Sequence, residues 1–363
     1  MEPGPDVAVL ELPELLLDSG ATLRDVRLVY QTWGTLDAAR GNAVLLPTAL
    51  AGRHGDNAWL FGPGRPLDPA RHFIIVPDML GNGLSSSPSN TRPPFDGPRF
   101  PLLGVRDNIA VQHALVVEHL GIERLRLVAG NSMGAGQAFQ WSVSHAERVD
   151  ALLAICGSAR TSRHNGVFLE GVKAALQADT AWKGGWYDRQ PTTGLRAAAR
   201  VYAGWGFSQA FYRDEVWREL GFSSLEDFLV GFWEGFFLDD HDANDLLCMI
   251  GTWQRADVGA TPGFDGDLVR ALGSVRARTI VMPGEKDLYF PPEDSAYEAS
   301  LIPGAELRVI PGRVGPLRGQ RPQRDRHGLR RPGPPRSARE SLIVGAGASP
   351  ARAGGRETAL PPA

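Results

Sequence analysis

The pentapeptide Gly130-Asn131-Ser132-Met133-Gly134 contains the residue types best suited to nucleophilic chemistry. A serine with a glycine two positions away on each side matches a nucleophile elbow, where the serine occupies a sharp turn between a strand and a helix. An apolar segment, Leu125–Ala129, precedes the pentapeptide, and a helix rich in small residues is predicted over Met133–Ser144. The N-terminus of that helix would face the negative charge that develops on a carbonyl oxygen under attack. Ser132 is therefore predicted to be the nucleophile of an acyl-transfer or ester-cleaving reaction.

Such a reaction needs hydrogen-bond donors for the developing oxyanion. The backbone N–H that follows the nucleophile, that of Met133, is the first predicted donor. A second donor is expected in the loop Thr48–Gly52, which follows an apolar segment ending at Pro47. We assign it to the backbone N–H of Leu50 or of an immediate neighbour.

A carboxylate is needed to orient the catalytic base, and in this arrangement it follows the nucleophile in the chain. Asp287 lies a few residues after the apolar segment Thr279–Met282 and shortly before a helix that starts with proline. We predict that Asp287 is this acid, with Glu285 and Asp294 as alternatives.

The histidine base should follow the next apolar segment, Glu306–Pro311, at a position near Pro316. It is absent there, because the chain continues Pro311-Gly-Arg-Val-Gly-Pro-Leu. His327 lies further on, among arginines with no apolar residue to anchor it beside Ser132. As written, the chain is predicted to be nearly inactive.

Short apolar runs alternate with helical patterns and predict the elements that would carry these residues. Runs that are apolar on both faces indicate parallel strands covered by helices on both sides. The predicted parallel strands are Ala43–Pro47, Phe73–Pro77, Leu125–Ala129, Ala151–Ile155 and Thr279–Met282. A crossover helix is predicted over Arg106–Leu120, and an antiparallel edge hairpin over Val7–Leu17 and Thr22–Trp33. Together with the elbow, this pattern predicts an α/β-hydrolase fold, a doubly wound and mostly parallel sheet.

The segment between the strands that end near 155 and begin near 279 is helical in pattern. It contains six of the nine tryptophans. We predict the core in residues 1–159 and 269–312 and a helical cap in residues 160–268 that supplies an apolar pocket wall. Residues 313–363 have eleven arginines but no Phe, Tyr, Trp or Lys, and this composition predicts a disordered tail.

Several motifs outside the elbow resemble the homoserine O-acetyltransferase family over roughly residues 22 to 312. They are Tyr30-Gln-Thr-Trp-Gly-Thr-Leu, Gly62-Pro-Gly-Arg-Pro-Leu-Asp, Arg106-Asp-Asn, Leu120-Gly-Ile-Glu-Arg-Leu and Gln137-Ala-Phe-Gln-Trp141. The resemblance implies acyl transfer to an alcohol through a serine acyl-enzyme, with acyl-CoA as a candidate co-substrate and no bound cofactor.

The chain departs from the pattern of that family at three places. Asn131 replaces the second glycine before the serine. Arg200 matches the family's substrate-binding arginine, but Phe207 stands where a tyrosine would help to hold homoserine. The aspartate that follows the histidine in this family is also missing. These departures predict an acceptor other than homoserine.

The end of the chain is consistent with a frameshift. After deletion of one base at the junction of codons 313 and 314, the codons from Arg313 to Leu317 are compatible with Arg-Trp-Gly-His. The next codon would then begin with T and could not encode aspartate. An out-of-frame GC-rich gene would also produce a tail rich in Arg, Pro and Gly.

Composition limits the partners that are expected. A net charge of −3 gives no reason to expect nucleic acid or an anionic membrane. No apolar run reaches membrane-spanning length, and the acidic first residues do not resemble a secretory signal. Cys156 and Cys248 are expected to be reduced thiols in a cytoplasmic protein, and the scattered histidines predict no metal site. The expected partners are a small acyl donor and acceptor, and a homodimer is an open alternative to a monomer.

Three functions follow from these observations. The leading prediction is an acyltransferase that resembles the homoserine O-acetyltransferases. The alternative is a carboxylic ester hydrolase, in which water accepts the acyl group. The third is a protein without activity, because the histidine is absent from the chain as written.

Overall fold

The computed structural model describes residues 7–238 and 241–312. Within these residues, eight strands form one sheet in the order β1-β2-β4-β3-β5-β6-β7-β8. Their bounds are β1 Val7–Leu16, β2 Thr22–Trp33, β3 Ala43–Leu45, β4 Phe73–Pro77, β5 Leu127–Asn131, β6 Ala151–Ile155, β7 Arg278–Met282 and β8 Glu306–Leu307. Strands β3 to β8 are parallel, whereas β1 pairs with β2, and β2 with β4, in antiparallel fashion. The predicted α/β-hydrolase fold with its edge hairpin is confirmed.

In the described ranges, ten α-helices surround or cover the sheet. They are α1 Val105–His113, α2 Met133–Ser144, α3 Arg163–Gln177, α4 Thr192–Gly206, α5 Gln209–Arg213, α6 Leu225–Phe228, α7 Gly235–Leu238, α8 Ala243–Gln254, α9 Leu268–Gly273 and α10 Pro292–Leu301. Two π-helical segments, Ala114–His119 and Leu229–Glu234, continue α1 and α6. Short 3-10 turns are His54–Leu60, Gly97–Arg99, Ala146–Arg148, Lys183–Gly185, Val216–Arg218 and Val258–Ala260.

The core is divided by the sheet. One apolar cluster packs α1 and α2 against the face that includes Leu45, Val128 and Leu152. A smaller cluster with Val44 and Ile74 covers the opposite face. The central parallel strands are largely buried on both faces, so their side chains are apolar at consecutive positions, which made them recognisable in the sequence. Both residues of β8, at the sheet edge, are exposed.

Helix α9 packs with the core cluster that contains α1 and α2. Helices α3 to α8 lie between β6 and β7 in the chain, in the segment 160–268 where we predict a cap. Their buried aromatic residues form a third apolar cluster that also includes Leu50, Met133, Cys156 and Phe290. These helices therefore pack over the edge of the sheet where Ser132 is found. The division of the chain into domains at 159, 268 and 312 remains a prediction.

The structure corrects several predicted strand bounds. Strand β5 covers Leu127–Asn131 rather than Leu125–Ala129, because Leu125 forms only an isolated bridge with Val149. The predicted strand Glu306–Pro311 shortens to Glu306–Leu307, with a separate bridge between Ile310 and Gly284. Tail residues 313–363, including Pro316 and His327, lie outside the described residues.

Candidate active site

Ser132 lies at the sharp turn between β5 and α2. Its backbone angles are φ 53° and ψ −125°, a conformation that a residue with a side chain rarely adopts and that stores strain. Its backbone N–H donates a hydrogen bond of 3.0 Å to the carbonyl of Ile155 on β6. The turn therefore has the conformation expected of a nucleophile elbow, in which the serine projects from the carboxyl end of a central strand.

The two glycines of the pentapeptide are required by close backbone contacts. A Cβ atom on Gly130 would lie 2.2 Å from the carbonyl of Gly134, and a Cβ on Gly134 would lie 2.6 Å from the carbonyl oxygen of Pro47. Neither position has room for a side chain. Their absence lets α2 approach both its own strand and the loop after β3, which is the structural reason for the spacing seen in the sequence.

The two predicted oxyanion donors lie on neighbouring elements. Met133 is the first residue of α2, and the first N–H groups of a helix have no partner within it. Leu50 is buried in a tight turn in which Gly52 N–H donates to the Ala49 carbonyl at 2.9 Å and Ala51 has φ 57°. The roles of Met133 and Leu50 remain predictions.

Asp287 occupies a buried turn after β7. Its Oδ1 accepts hydrogen bonds of 2.9 Å from the backbone N–H groups of Tyr289 and Phe290. Its Oδ2 is also buried but has no hydrogen-bond partner among the described residues. Burial raises the pKa of Asp287 to about 7, an effect that the two N–H donors and the Cys156 thiol partly offset. A cationic or N–H donor facing Oδ2 would remove the cost of ionising this carboxyl.

The thiol of Cys156, at the end of β6, lies beside this carboxyl. Burial raises its pKa well above the ordinary value for a thiol, and the charge of Asp287 raises it further. The thiol is therefore protonated at neutral pH and does not serve as a nucleophile.

The alternatives to Asp287 are more exposed. Glu285 accepts a hydrogen bond of 3.2 Å from the N–H of Gly312 and pairs with Lys286. Asp294 lies exposed in the first turn of α10. Neither has the burial that would let a carboxylate act strongly on one neighbouring imidazole.

Within residues 7–238 and 241–312, no hydrogen bond joins a histidine to Ser132 or to Asp287. Gly312 is the last residue that the structure describes. Its backbone N–H donates to the carboxylate of Glu285, which places it beside the turn of Asp287. The position near Pro316, where the base is expected, follows four residues later and lies outside the described residues.

A small pocket borders Ser132. It is lined by Val105, Ser132, Met133, Gly136, Ser158, Thr161, Trp253, Ala256 and Phe290. Trp253, on α8, stacks on Phe290 with their ring centroids 5.7 Å apart. The pocket wall is therefore mostly apolar, as the aromatic composition of this segment indicates, and its lining includes three hydroxyl-bearing residues, Ser132, Ser158 and Thr161.

The two residues predicted to bind substrate have other contacts. The guanidinium of Arg200 pairs with Glu226 and, at 2.6 Å, with Glu234. Phe207 is buried and stacks on Phe211 at a centroid distance of 4.1 Å. Neither lines the pocket at Ser132, and their roles in substrate binding remain predictions.

The sequence did not predict a hydrogen-bonded pair, His54 and Asp78, beside the loop Thr48–Gly52. We call this loop the oxyanion loop because it carries the second predicted oxyanion donor. The carboxylate of Asp78 accepts two hydrogen bonds from His54, one from its backbone N–H at 2.8 Å and one from Nδ1 at 2.6 Å. The bond to Asp78 raises the pKa of His54. This pair fixes the start of the turn after Gly52, and no local pattern joins two residues that are 24 positions apart.

The described part of the chain contains no group of three His, Cys, Asp or Glu side chains arranged to hold a metal ion. No helix in it combines the length and apolar character that crossing a membrane requires.

A strained serine elbow on a mostly parallel sheet, covered by helices at its carboxyl edge, defines the class as an enzyme of the α/β-hydrolase fold. The sequence profile of the family described as alpha/beta hydrolase fold matches residues 42–313. The chain belongs to this family.

Curated relatives include esterases and acetyltransferases. A "Probable esterase" of Corynebacterium glutamicum is 38% identical over 309 residues, covering 84% of this chain and 87% of the relative. Ethyl acetate hydrolase of Pseudomonas veronii is 38% identical over 313 residues, covering 85% and 89%. A homoserine O-acetyltransferase of Chlorobaculum tepidum is 32% identical over 311 residues, covering 82% and 85%. Among solved structures, an acetylester hydrolase from Corynebacterium glutamicum matches with a TM-score of 0.84 and 36% identity, covering 88% of this chain and 92% of that one.

Proposed function

We propose that this chain is built as a carboxylic ester hydrolase that acts on short acyl esters, with Ser132 as the nucleophile. The observation that carries the proposal is the position of Ser132 in a strained elbow, with the buried Asp287 at the same edge of the sheet. Both esterases are more similar to this chain than the acetyltransferase is, at 38% against 32% identity. This difference favours the hydrolase alternative over the leading prediction of an acyltransferase.

The proposed mechanism proceeds through an acyl-enzyme. The Oγ of Ser132 attacks the ester carbonyl, its proton passes to the base, and the N–H groups of Met133 and Leu50 stabilise the oxyanion. The base returns the proton to the leaving alcohol as the carbon–oxygen bond breaks. Water then attacks the acyl-serine by the same route, which releases the carboxylic acid and regenerates the serine.

The pocket supports a short acyl group. It is small, and the indole of Trp253 and the phenyl ring of Phe290 form part of its wall. A wall of rigid aromatic rings accommodates a methyl group but excludes a long chain, and each added methylene in such a pocket changes selectivity by roughly 10- to 200-fold. The names of the relatives, an ethyl acetate hydrolase and an acetylester hydrolase, point in the same direction.

The base is the part of the proposal that depends on the end of the chain. The buried Oδ2 of Asp287, which has no hydrogen-bond partner among the described residues, is where the N–H of an imidazole would donate. We propose that the frame change at codons 313–314 removed this imidazole, and that the chain as printed has only the residual activity of the elbow and the oxyanion donors. The product of the gene with one base removed there, in which Arg-Trp-Gly-His follows Gly312, is called the repaired chain below.

The test compares the printed chain with the repaired chain in hydrolysis of p-nitrophenyl acetate. We expect the repaired chain to be faster by several orders of magnitude, since loss of one triad member leaves little beyond binding and oxyanion stabilisation. Equal activity of the two chains would contradict the account of the base. Sequencing of the nucleotides at codons 312–317 tests the frame change independently.

Acyl transfer from acyl-CoA to an alcohol is the second candidate, because the acetyltransferase relative covers most of the chain. The contacts of Arg200 and Phe207 argue against homoserine as acceptor, since the arginine is held by two carboxylates and the phenyl ring has no hydroxyl group. An assay of the repaired chain with acetyl-CoA and L-homoserine decides between them. Faster acetylation of homoserine than hydrolysis of short esters would favour the transferase.

A further inference from the structure

A continuous series of buried hydrogen bonds connects the helix of the elbow with the oxyanion loop. Trp141 Nε1 donates to Gln112 Oε1 at 2.8 Å, and Gln112 Nε2 donates to Gln137 Oε1 at 2.7 Å. Gln137 Nε2 then donates to the backbone carbonyl of Thr48 at 2.8 Å. All four residues are at most 1% exposed. We call these four residues the amide relay.

Only one orientation of the two glutamine amides allows every hydrogen bond of the relay to form. The indole of Trp141 can only donate, so Gln112 must present its oxygen to Trp141 and its NH₂ group to Gln137. The Thr48 carbonyl at the other end can only accept, so Gln137 must present its NH₂ group to Thr48. Both ends impose the same orientation on both amides. A flip of either amide would bury unpaired groups at a cost of about 1–3 kcal/mol each.

The relay joins the two elements that carry the predicted oxyanion donors. Gln137 lies one turn after Met133 on α2, and its Nε2 is also 3.5 Å from the Met133 carbonyl. Thr48 lies two residues before Leu50. Donors to an oxyanion must be placed about 2.7–3.1 Å from it, so the separation of these two elements determines whether both donors reach the same oxygen.

Other contacts of Thr48 hold the loop to β4 rather than to α2. Its Oγ1 accepts from the Met79 N–H at 3.0 Å, and its own N–H donates to the Pro77 carbonyl at 3.3 Å. These bonds do not reach α2, which the loop meets at the close backbone contact between Gly134 and Pro47. The only hydrogen bond to α2 that the described contacts of Thr48 include comes from Gln137.

We propose that Gln137 is a positioning residue of the oxyanion hole, and that Gln112 and Trp141 act through it by fixing the orientation of its amide. The proposal rests on the proposed function, in which Met133 and Leu50 stabilise the oxyanion. Gln137 and Trp141 belong to the motif that follows the elbow, and the mechanism above gives them no role. The proposal gives both residues a role.

The first experiment measures hydrogen exchange in the full printed chain, so that it needs no activity. Gln137→Leu removes the bond to Thr48, and backbone amides 48–52 are expected to exchange at least 10-fold faster. Gln140→Leu is the matched control, since Gln140 is equally buried on the same helix but bonds to Ser144 and Thr261. It should leave exchange at 48–52 unchanged. Equal acceleration in both variants, or none in Gln137→Leu, would overturn the proposal.

The direction of the relay is tested by Trp141→Phe, which touches the loop only through the two glutamines. We expect it to accelerate exchange at 48–52 as well, by a smaller factor than Gln137→Leu. Unchanged exchange in Trp141→Phe would show that the amide of Gln137 is held without the indole, and would overturn that part of the proposal.

The second experiment measures ester hydrolysis in the repaired chain. Gln137→Leu should lower kcat about 100-fold, the size of effect seen on loss of an oxyanion donor, with KM changed less than twofold. In Gln137→Glu only the protonated acid can donate to Thr48, so its activity relative to the unsubstituted chain should recover as pH falls. A raised KM with unchanged kcat would contradict positioning of the oxyanion donors. If no repaired variant hydrolyses esters, the proposed function fails, while the exchange experiment still decides the relay.

Discussion

Ser132 and Asp287 follow β5 and β7, the two strands that flank β6 in the sheet. Because all three strands are parallel, their carboxyl ends meet at one edge, and Ser132 and Asp287 emerge there with Cys156 between them. This edge of an open α/β sheet is where ligands bind as a rule.

The first prediction concerns the nucleophile. In the repaired chain, Ser132→Ala should lower turnover of p-nitrophenyl acetate by about 10⁴-fold or more, because a methyl group cannot attack the ester. Ser142→Ala is the matched control, since Ser142 is a buried serine of α2 whose hydroxyl bonds only within the helix, to the Ala138 carbonyl. Its activity should stay within about twofold. Retention of a tenth of the activity in Ser132→Ala would exclude it as the nucleophile.

The second prediction concerns stability and pH in the printed chain. The folded-state pKa of Asp287 is about 7, above the unfolded value of about 3.9. The folded state therefore binds the proton of this carboxyl more tightly than the unfolded state does. The contribution of that proton to the free energy of unfolding falls as pH rises from about 4 to 7. Asp287→Asn should raise the free energy of unfolding at pH 8 by on the order of a few kcal/mol and leave it nearly unchanged at pH 4.

Urea unfolding of Asp287→Asn at the two pH values tests this expectation, with the exposed Asp294→Asn as control. Asp245 and Glu298 also have pKa values raised to about 7 by burial, so part of the pH dependence should persist in Asp287→Asn. A destabilised Asp287→Asn at pH 8 would show that the ionised carboxylate has a favourable partner in the printed chain.

The third prediction concerns the close approach of α2 to the loop after β3. A methyl group at Gly134 would meet the carbonyl oxygen of Pro47 at 2.6 Å, so Gly134→Ala should destabilise the fold by about 1–3 kcal/mol. A Cβ atom added to Gly204, in α4, would meet open space. Gly204→Ala should therefore raise the free energy of unfolding by about 0.5–1 kcal/mol. Thermal unfolding of both variants measures the contrast. A neutral Gly134→Ala would be inconsistent with this contact.

The fourth prediction concerns the acyl pocket. Phe290→Ala removes a ring from the wall of the pocket at Ser132. In the repaired chain, the ratio of kcat/KM for hexanoate esters to that for acetate esters should therefore rise by about 10-fold. Phe211→Ala removes an equally buried ring that does not line the pocket. It should lower stability without changing that ratio. The ratio of kcat/KM for the two esters is the measurement, and an unchanged ratio in Phe290→Ala would place the acyl group elsewhere.

The elbow and the helix that follows it could be predicted because their signals are local. The glycines at 130 and 134, the apolar strand before them and the small residues after them are close neighbours in the chain, and α2 begins and ends where predicted. The residues at which strands end were harder to predict from the sequence. A strand ends where its neighbours stop pairing with it, so β8 is limited to two residues by its contact with β7, a limit that its own sequence does not contain.

Side-chain contacts between distant segments could not be predicted from the sequence. Gln137 and Thr48 are 89 residues apart, and His54 and Asp78 are 24 apart. No periodicity or motif links such pairs, because their proximity is created by the order of strands in the sheet. The same holds for Arg200, whose ion pairs with Glu226 and Glu234 depend on how the helices after β6 pack together.

By itself, the sequence determined the class of the fold, the identity of Ser132 as the candidate nucleophile and the position of Asp287 as the candidate acid, because strand periodicity and turn chemistry are written in adjacent residues. Tertiary structure alone decided that the carboxyl of Asp287 is buried, with one oxygen that has no partner among the described residues. It also placed the rings of Trp253 and Phe290 in the pocket wall, and it joined the oxyanion loop to α2 through the amide relay. Burial, pKa and hydrogen-bond partners depend on every segment that packs around a group, and only the folded chain brings those segments together.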